Sequence, residues 1–344
     1  MGMTIFYSLK SEQKDARKAA QTVHQMRQLA LDLPFEEVSD IVDLRGEECD
    51  FESRREELKA LGEKGESLLW LLIQAQESMP CPWNKEITIR VRPKRIIGFT
   101  AWPGHGCEPA NLGLCQFPEE IEIDYTPEDD QRFRIQRESK SENGHVVSTW
   151  SEFSWTKWNR HCKRKHGQLM SVEQFVEKRM VPTGLAGWSW ESFCKTQYAA
   201  EPSAGGVPNF LRCHISVITL LERIAKLPGM KVRIDDEGNY GPSRYGDDDK
   251  EARAAGRMPT YTWHKGRYSP AALAKEVGEW NALMAGFAGA LSDALAKNNM
   301  TLEARIKSFQ DFEHLEFRGR NSKYLGPFLQ AMKALTPTVE GETA

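Results

Sequence analysis

The sequence predicts an α+β fold, with a small mixed or antiparallel sheet and packed helices first and a mainly helical C-terminal half after it. Three observations carry that expectation. Short period-two apolar runs alternate with helix-period stretches up to about residue 125. Behind Ser269-Pro270, a cap followed by proline at the first helical position, Leu273, Val277, Trp280, Met284, Phe287, Leu291 and Leu295 form an apolar seam at spacings of three and four. The 344 residues are 40% hydrophobic and 28% charged, as in a globular chain long enough for one large or two ordinary domains.

In chain order, residues 4–8 read as a first strand and 11–31 as an amphipathic helix with Ala16, Ala20, Val23, Met26 and Ala30 on one stripe. Pro34 ends that helix, and 38–44 alternates as a second strand. The acidic stretch 45–65 reads as a surface loop with a short helical piece, and 67–76 as a compact buried helix. Residues 87–91 and 95–101 are strands across Arg92-Pro93. Residues 121–125, 132–136 and 146–150 suggest a meander, with Thr126-Pro127 and Asn143-Gly144 at its turns. A helix capped by Ser189 and a second one starting at Pro208 are expected next. Residues 231–236 and 261–264 would pair as a hairpin around Asp247-Asp248-Asp249, and 301–317 and 324–334 read as helices. Ala285, Gly286, Ala288, Gly289 and Ala290 would let another backbone approach the long seam. The expected division is residues 1–125 as the sheet domain, 126–180 as a meander plus basic-aromatic helix and a candidate insertion, and 181–336 as a helical region packed on the sheet.

Bulk properties exclude several classes. A net charge of −3 gives no global field toward nucleic acid or anionic membrane, so any such binding must be local. The longest apolar run, Leu68 to Ile73, is far short of the roughly 20 residues that cross a bilayer. No signal peptide is visible at the start. Seven cysteines at irregular spacing, without Cys-x-x-Cys, read as free thiols in a reducing compartment, hence a cytoplasmic protein. No Walker loop, Gly-x-Ser-x-Gly or His-Glu-x-x-His occurs.

Three stretches could carry chemistry. On the two expected helices, Trp190, Phe193, Cys194 and Gln197 share one face, and Leu211, His214, Ile218 and Leu221 another. A thiolate attacks and a nearby imidazole can activate it, so Cys194 and His214 meet the minimum for a nucleophilic dyad, with Gln197 or Asn209 to orient it. Burial of both in a core is the stronger reading, because cysteine and a histidine on an apolar seam usually serve packing. Cys213 and His214, about 100° apart on a helix, cannot readily grip one metal ion. The second stretch is the loop from Trp102 to Asn111, which gathers His105, Cys107, Glu108 and Asn111 at a strand end. It lacks the dinucleotide fingerprint because Pro109 stands where the third glycine belongs. The third is Trp155–His166, where Lys157, Arg160 and Arg164 share one helix face and Trp155, Trp158 and Cys162 another. That combination suits phosphate backbones and base stacking, or else a solvated surface helix.

Trp188-x-Trp190-x-x-Phe193-Cys194-Lys195-Thr196-Gln197-Tyr198, with Gly205-Gly206-x-x-Asn209-Phe210-x-x-Cys213-His214, resembles a bacterial protein family without an assigned activity. Trp102-Pro103-Gly104-x-Gly106-Cys107-Glu108 and the stretch from Glu276 to Asn281 belong to the same pattern. The resemblance spans most of the chain and implies no function, cofactor or site. The leading expectation is therefore a binding or interaction protein for a small molecule or protein partner. Its pocket would lie where loop 102–111 meets the Cys194 and His214 helices, lined by Trp102, His105, Cys107, Glu108, Asn111, Trp190 and Gln197. The alternatives are a cysteine-dependent hydrolase or transferase using Cys194 and His214, and a nucleic-acid-associated protein using Lys157, Arg160 and Arg164. No metal site and no particular cofactor is indicated.

Overall fold

The computed structural model describes residues 3–140, 146–246, 261–266, 268–297, 319–321, 325–327 and 330. The strands are β1 (Thr4–Ser11), β2 (Glu37–Val38), β3 (Val42–Arg45), β4 (Glu77–Cys81), β5 (Asn84–Val91), β6 (Arg95–Trp102), β7 (Ala110–Gln116), β8 (Glu120–Tyr125), β9 (Arg134–Lys140), β10 (Val146–Phe153), β11 (Glu177–Pro182), β12 (Trp188–Lys195), β13 (Met230–Asp236), β14 (Ser243–Gly246) and β15 (Tyr261–His264). The α-helices are α1 (Ala16–Leu31), α2 (Phe51–Ala60), α3 (Glu63–Gln74), α4 (Trp155–His166), α5 (Gly206–Ile224) and α6 (Pro270–Ala296). An antiparallel sheet combined with helices bears out the α+β expectation; the mainly helical C-terminal half is found only in part, as α5 and the long α6 among strands β12 to β15.

The chain forms two compact units, both discontinuous. Unit 1 comprises Met1–Val42, Gly98–Leu114 and Trp190–Ala344, and unit 2 comprises Asp43–Ile97 and Cys115–Ser189. The consecutive segments 1–125, 126–180 and 181–336 are thus not the compact pieces, because β6, β7 and β12 each pass from one unit to the other along the chain.

In unit 1 the strands run in the order β13-β1-β12-β7-β6-β2. β1 pairs antiparallel with β13 along its length, from Ile5 opposite Asp236 to Ser11 opposite Met230. Ser11 is therefore strand, and α1 starts later than the period suggests because Asp15 is its cap, accepting from the Arg17 and Lys18 amides. α1 buries Ala19, Val23, Met26 and Ala30, and α5 buries Phe210, Cys213, His214, Val217, Ile218, Leu221 and Ile224. α6 starts at the Ser269 cap, whose hydroxyl accepts from the Ala272 amide. Its buried side is Leu273, Val277, Leu283, Ala285, Gly286, Ala288 and Gly289, while Met284 of the expected seam is exposed. The small residues face inward because backbone at Gly319 comes against Gly286.

Several expectations are corrected. The stretch with Ser189 is strand β12, not a capped helix. Trp188, Trp190 and Cys194 are buried at even spacing, and Trp188 and Ser189 pair with Gln116 and Cys115. Residues 231–236 pair with β1, and 261–264 pair with β14, so the two are not one hairpin. Asp247, Asp248 and Asp249 and the helices expected at 301–317 and 324–334 lie outside the described residues, apart from 325–327 and 330.

In unit 2, residues 45–65 are not a loop but mainly the helical pair α2 and α3, opened by Asp50 capping the Glu52 amide. β4 and β5 form a hairpin, as do β9 and β10. β8 pairs with β11 rather than β9, so the expected meander is absent. Instead, Asp130 caps a short turn and accepts from Tyr125 Oη at 3.0 Å and Arg132 Nη2 at 2.6 Å. α4 lies over a cluster in which Trp158 and Cys162 pack with Phe133 and Val172, flanked by Phe153, Met170 and Phe175. The Trp158 ring meets Phe133 and Phe175 edge-on, with centroids 5.1 and 4.9 Å away, and its Nε1 donates to the Met170 carbonyl at 3.0 Å.

Trp158→Ala should lower the stability of unit 2 by about 3–5 kcal/mol, the usual cost of emptying a buried aromatic site. Trp155→Ala, one turn earlier but exposed, should cost less than about 1 kcal/mol. Urea unfolding of the two variants checks this, and equal losses would contradict the assignment of the buried face.

Candidate functional site

In unit 1 the expected thiol and imidazole are present, but each is engaged elsewhere. Cys194, fully buried on β12, donates from Sγ to the Glu108 carbonyl at 3.1 Å. Burial pushes its thiol far up, and the nearby Glu108 carboxylate and Cys213 push in the same direction, opposite to the shift that activates a nucleophile. His214, on the inner face of α5, is also fully buried and stacks on Phe210. Its Nδ1 lies 2.8 Å from Thr196 Oγ1 and its Nε2 lies 3.0 Å from Asp236 Oδ1. The second contact lacks the in-line geometry of a hydrogen bond, so it is a close electrostatic contact. With both ring nitrogens so placed, the Cys194–His214 dyad is not formed.

The actual constellation is Thr196–His214–Asp236, all three residues at 0% exposure. Asp236 sits at the end of β13. Its Oδ1 accepts from the Gly238 amide at 2.7 Å, and its Oδ2 from the amides of Tyr240 at 3.0 Å and Gly241 at 2.6 Å. Burial alone would raise its pKa, but His214 and the Gly241 and Gly238 amides outweigh that and hold it below the ordinary carboxylate range. Thr196 in turn anchors the start of β1, its amide and hydroxyl reaching the Met3 carbonyl at 3.2 and 3.3 Å. The order resembles that of a hydroxyl–imidazole–carboxylate triad, but no substrate can reach a hydroxyl without solvent exposure. This is a structural pin. Thr196 and Asp236 were missed in the sequence; Asp236-Glu237-Gly238, a typical turn formed by an aspartate accepting from its own following backbone, was the available signal.

Loop 102–111 does meet the first turns of α5, as expected, but the space between is filled. Asn209 Nδ2 donates to the carbonyls of Ala204 at 2.7 Å and His105 at 2.9 Å. Arg212 donates to the Pro103 carbonyl at 2.9 Å, the Pro34 carbonyl at 2.7 Å and Asn209 Oδ1 at 2.8 Å. A Cβ on Gly104 would lie 2.1 Å from Arg212 Nη2, and one on Gly106, at φ +80°, 2.6 Å from the Tyr198 carbonyl oxygen. Of the expected lining, Asn111 and Trp190 are buried: Trp190 Nε1 and Tyr7 Oη both donate to the Asn111 carbonyl, at 2.9 and 2.7 Å. Gln197 accepts from the Met3 amide at 3.2 Å, and Glu108 is 3.6 Å from Lys195. Trp102 and His105 are exposed, and Cys107 is half-buried beside Cys213.

The basic-aromatic stretch in unit 2 is a helix, as expected. Ser154 caps α4, Gly167 ends it in a left-handed conformation, and Trp158 and Cys162 point inward. Lys157 Nζ donates to the Arg134 carbonyl at 2.6 Å. Arg160, Lys163, Arg164 and Lys165 are exposed, and none forms an ion pair with a carboxylate among the described residues. Nearby ion pairs instead use Arg132 with Asp130 and Arg137 with Glu152. The local field is visible at His161, whose pKa is lowered first by desolvation and then by the charges of Lys165, Arg132 and Arg164. Trp155, 57% exposed at the start of the helix, was expected to share the inward face but stands outside it, edge-on to Phe153.

Comparison with protein-family models, curated proteins and solved structures found no match to this chain. Among the described residues, no three His, Cys, Asp or Glu side chains are grouped to hold a metal ion, and no helix is long and apolar enough to cross a membrane.

Because the folded-state pKa of Asp236 is depressed, its stabilisation is complete above the unfolded-state value of about 3.9 and is lost as pH falls through the folded value. The unfolding free energy of the wild type should therefore exceed that of Asp236→Asn by a constant margin near neutrality, and the margin should shrink below about pH 4. Denaturant titrations at stepped pH check this, and a margin independent of pH would contradict the ionised, paired state of Asp236.

Proposed function

We propose that the protein is a cytoplasmic, nucleic-acid-associated binding protein that presents α4 of unit 2 to the backbone of a single strand. The observation that carries this reading is the set of exposed cations on α4, Arg160, Lys163, Arg164 and Lys165, none in an ion pair with a carboxylate among the described residues, on a helix that also begins with an exposed Trp155. Cations neutralise phosphates and release counterions, while an exposed indole offers a face on which a base can stack. Stacking of that kind needs unpaired bases, which favours a single strand over a duplex. The net charge of −3 makes the contact local, so binding should be sensitive to salt. Lys157, spent on the Arg134 carbonyl, contributes less than the original trio with Arg160 and Arg164 suggests, and Lys163 and Lys165 join the charged surface. Seven free cysteines fit a reducing compartment.

The other two readings have less support. A ligand lodged between loop 102–111 and α5 would have to displace Arg212 and the Tyr198 backbone. A hydrolase using Cys194 would need an imidazole that Thr196 and Asp236 already hold.

Fluorescence anisotropy of a labelled oligothymidylate with the full chain tests the proposal. Affinity should fall with added salt. Arg160→Glu with Arg164→Glu should weaken binding and reduce the log–log salt slope by about 1.4, at about 0.7 per phosphate contact on a single strand. Trp155→Ala should cost about 1–3 kcal/mol with the slope unchanged. Absent binding, or binding indifferent to the charge reversal, overturns the reading.

A further inference from the structure

In unit 1, β13 is the outermost strand at one end of the sheet and is hydrogen-bonded along one side only, to β1. Its register with β1 runs without a bulge from Met230 to Asp236, so the direction of its backbone groups alternates residue by residue. The Glu237 amide donates to the Thr4 carbonyl at 3.1 Å, and the Gly229 carbonyl accepts from the Glu12 amide at 2.9 Å. Odd-numbered residues therefore turn toward β1. Even-numbered ones turn away: the Asp236 amide donates to the Pro242 carbonyl at 2.9 Å, and the Met230 amide to the Leu227 carbonyl at 3.1 Å. Between these two closed ends, the N–H and C=O groups of Val232 and Ile234 point away from β1 and meet no backbone partner among the described residues. Edge groups of this kind are a template for a further strand.

Beside that edge lies a groove of about 620 Å³, lined on one side by Val232, Arg233, Ile234 and Pro242 and on the other by Glu222 and Lys226 at the end of α5. Val232 and Ile234 turn their side chains to the covered side of the sheet, and Arg233 turns to the exposed side. A strand laid against β13 thus meets apolar surroundings at alternate positions and a cation between them. Lys226 and Arg233 are exposed and form no ion pair among the described residues, against one acid in the lining, Glu222. Asp235, the next residue on the Arg233 side, is itself engaged. We propose that this edge is a strand-addition site for a partner protein, taking an extended segment in which apolar and acidic residues alternate. The segment pairs with the free backbone groups of Val232 and Ile234, lays its apolar side chains toward α5 and sets an acidic one against Arg233. Backbone pairing supplies affinity, and the alternate side chains supply selectivity. The inference is independent of the nucleic-acid reading, because it concerns different residues in a different unit.

The test is fluorescence anisotropy of the full chain with a short, labelled, end-capped peptide of alternating valine and glutamate. Saturable binding is expected. Val232→Pro removes an outward amide at a position where an edge strand accepts proline, and should weaken binding at least about tenfold while keeping the far-ultraviolet circular dichroism of the chain. Lys226→Glu with Arg233→Glu should turn the preference toward a peptide of alternating valine and lysine. Methylating the peptide nitrogens that face β13 should abolish binding to the wild type, which keeps the test decisive if Val232→Pro fails to fold. Absent binding, equal binding of the glutamate and lysine peptides to the wild type, or binding indifferent to Val232→Pro or to N-methylation overturns the proposal. So does a dimer of this chain that Val232→Pro dissociates, which would assign the edge to a second copy.

Discussion

The contact between His214 and Asp236 is the constraint around which unit 1 is organised. A carboxylate without solvent exposure is tolerated only when its charge is met by donors or by an opposite charge. Asp236 is met from four directions, by three amides of its own turn and by the imidazole. Those partners belong to separate parts of the chain. The turn follows β13, His214 belongs to α5, and Thr196, on the other side of the ring, follows β12 and holds the Met3 carbonyl at the start of β1. One side chain therefore fixes how α5 lies across three strand ends. Asn209, Arg212 and Cys213 stand on the same helix less than two turns away, so the pin also sets where the loop after β6 can rest.

Unit 2 obeys the same rule in reverse. The aromatic cluster of Phe133, Trp158 and Phe175 takes one side of α4 out of water, and Lys157, Arg160, Lys163 and Arg164 lie away from it, while Lys165 is exposed in the last turn. A buried cation there would have needed a carboxylate partner. Elsewhere in unit 2 arginines have such partners, as with Arg95 on Asp43 and Arg92 on Glu47 and Asp50. Among the described residues the exposed cations Arg160, Lys163, Arg164 and Lys165 of α4 have none, which leaves a local positive surface on a chain of slightly negative total charge.

Helices with strong periodicity were legible in the sequence, namely α1, α4, α5 and α6, and so were the two ends of α4. The stretch after Ser189 was misread because Trp190, Phe193, Cys194 and Gln197 fit a helical period while Trp188, Trp190 and Cys194 fit a strand; pairing with Gln116 and Cys115, far away in sequence, decided it. The same kind of distant pairing moved β8 onto β11 and residues 231–236 onto β1. His214 was legible as a core residue of an apolar seam. Its partners were not, because Thr196 and Asp236 come from a strand end and a turn whose positions depend on the sheet order. The filling of the expected pocket was likewise hidden, since Gly104 and Gly106 advertise a close approach without saying that protein, rather than a ligand, makes it.

The most direct test is a double-mutant cycle on His214→Gln and Asp236→Asn, read by urea unfolding of the full chain near neutral pH. If the two groups form one buried unit, each single change should be costly, and the double change should cost less than their sum by roughly 2 kcal/mol, within the range found for residues of one network. Losses that add to within about 0.5 kcal/mol would show that His214 and Asp236 act independently, and the pin would not exist.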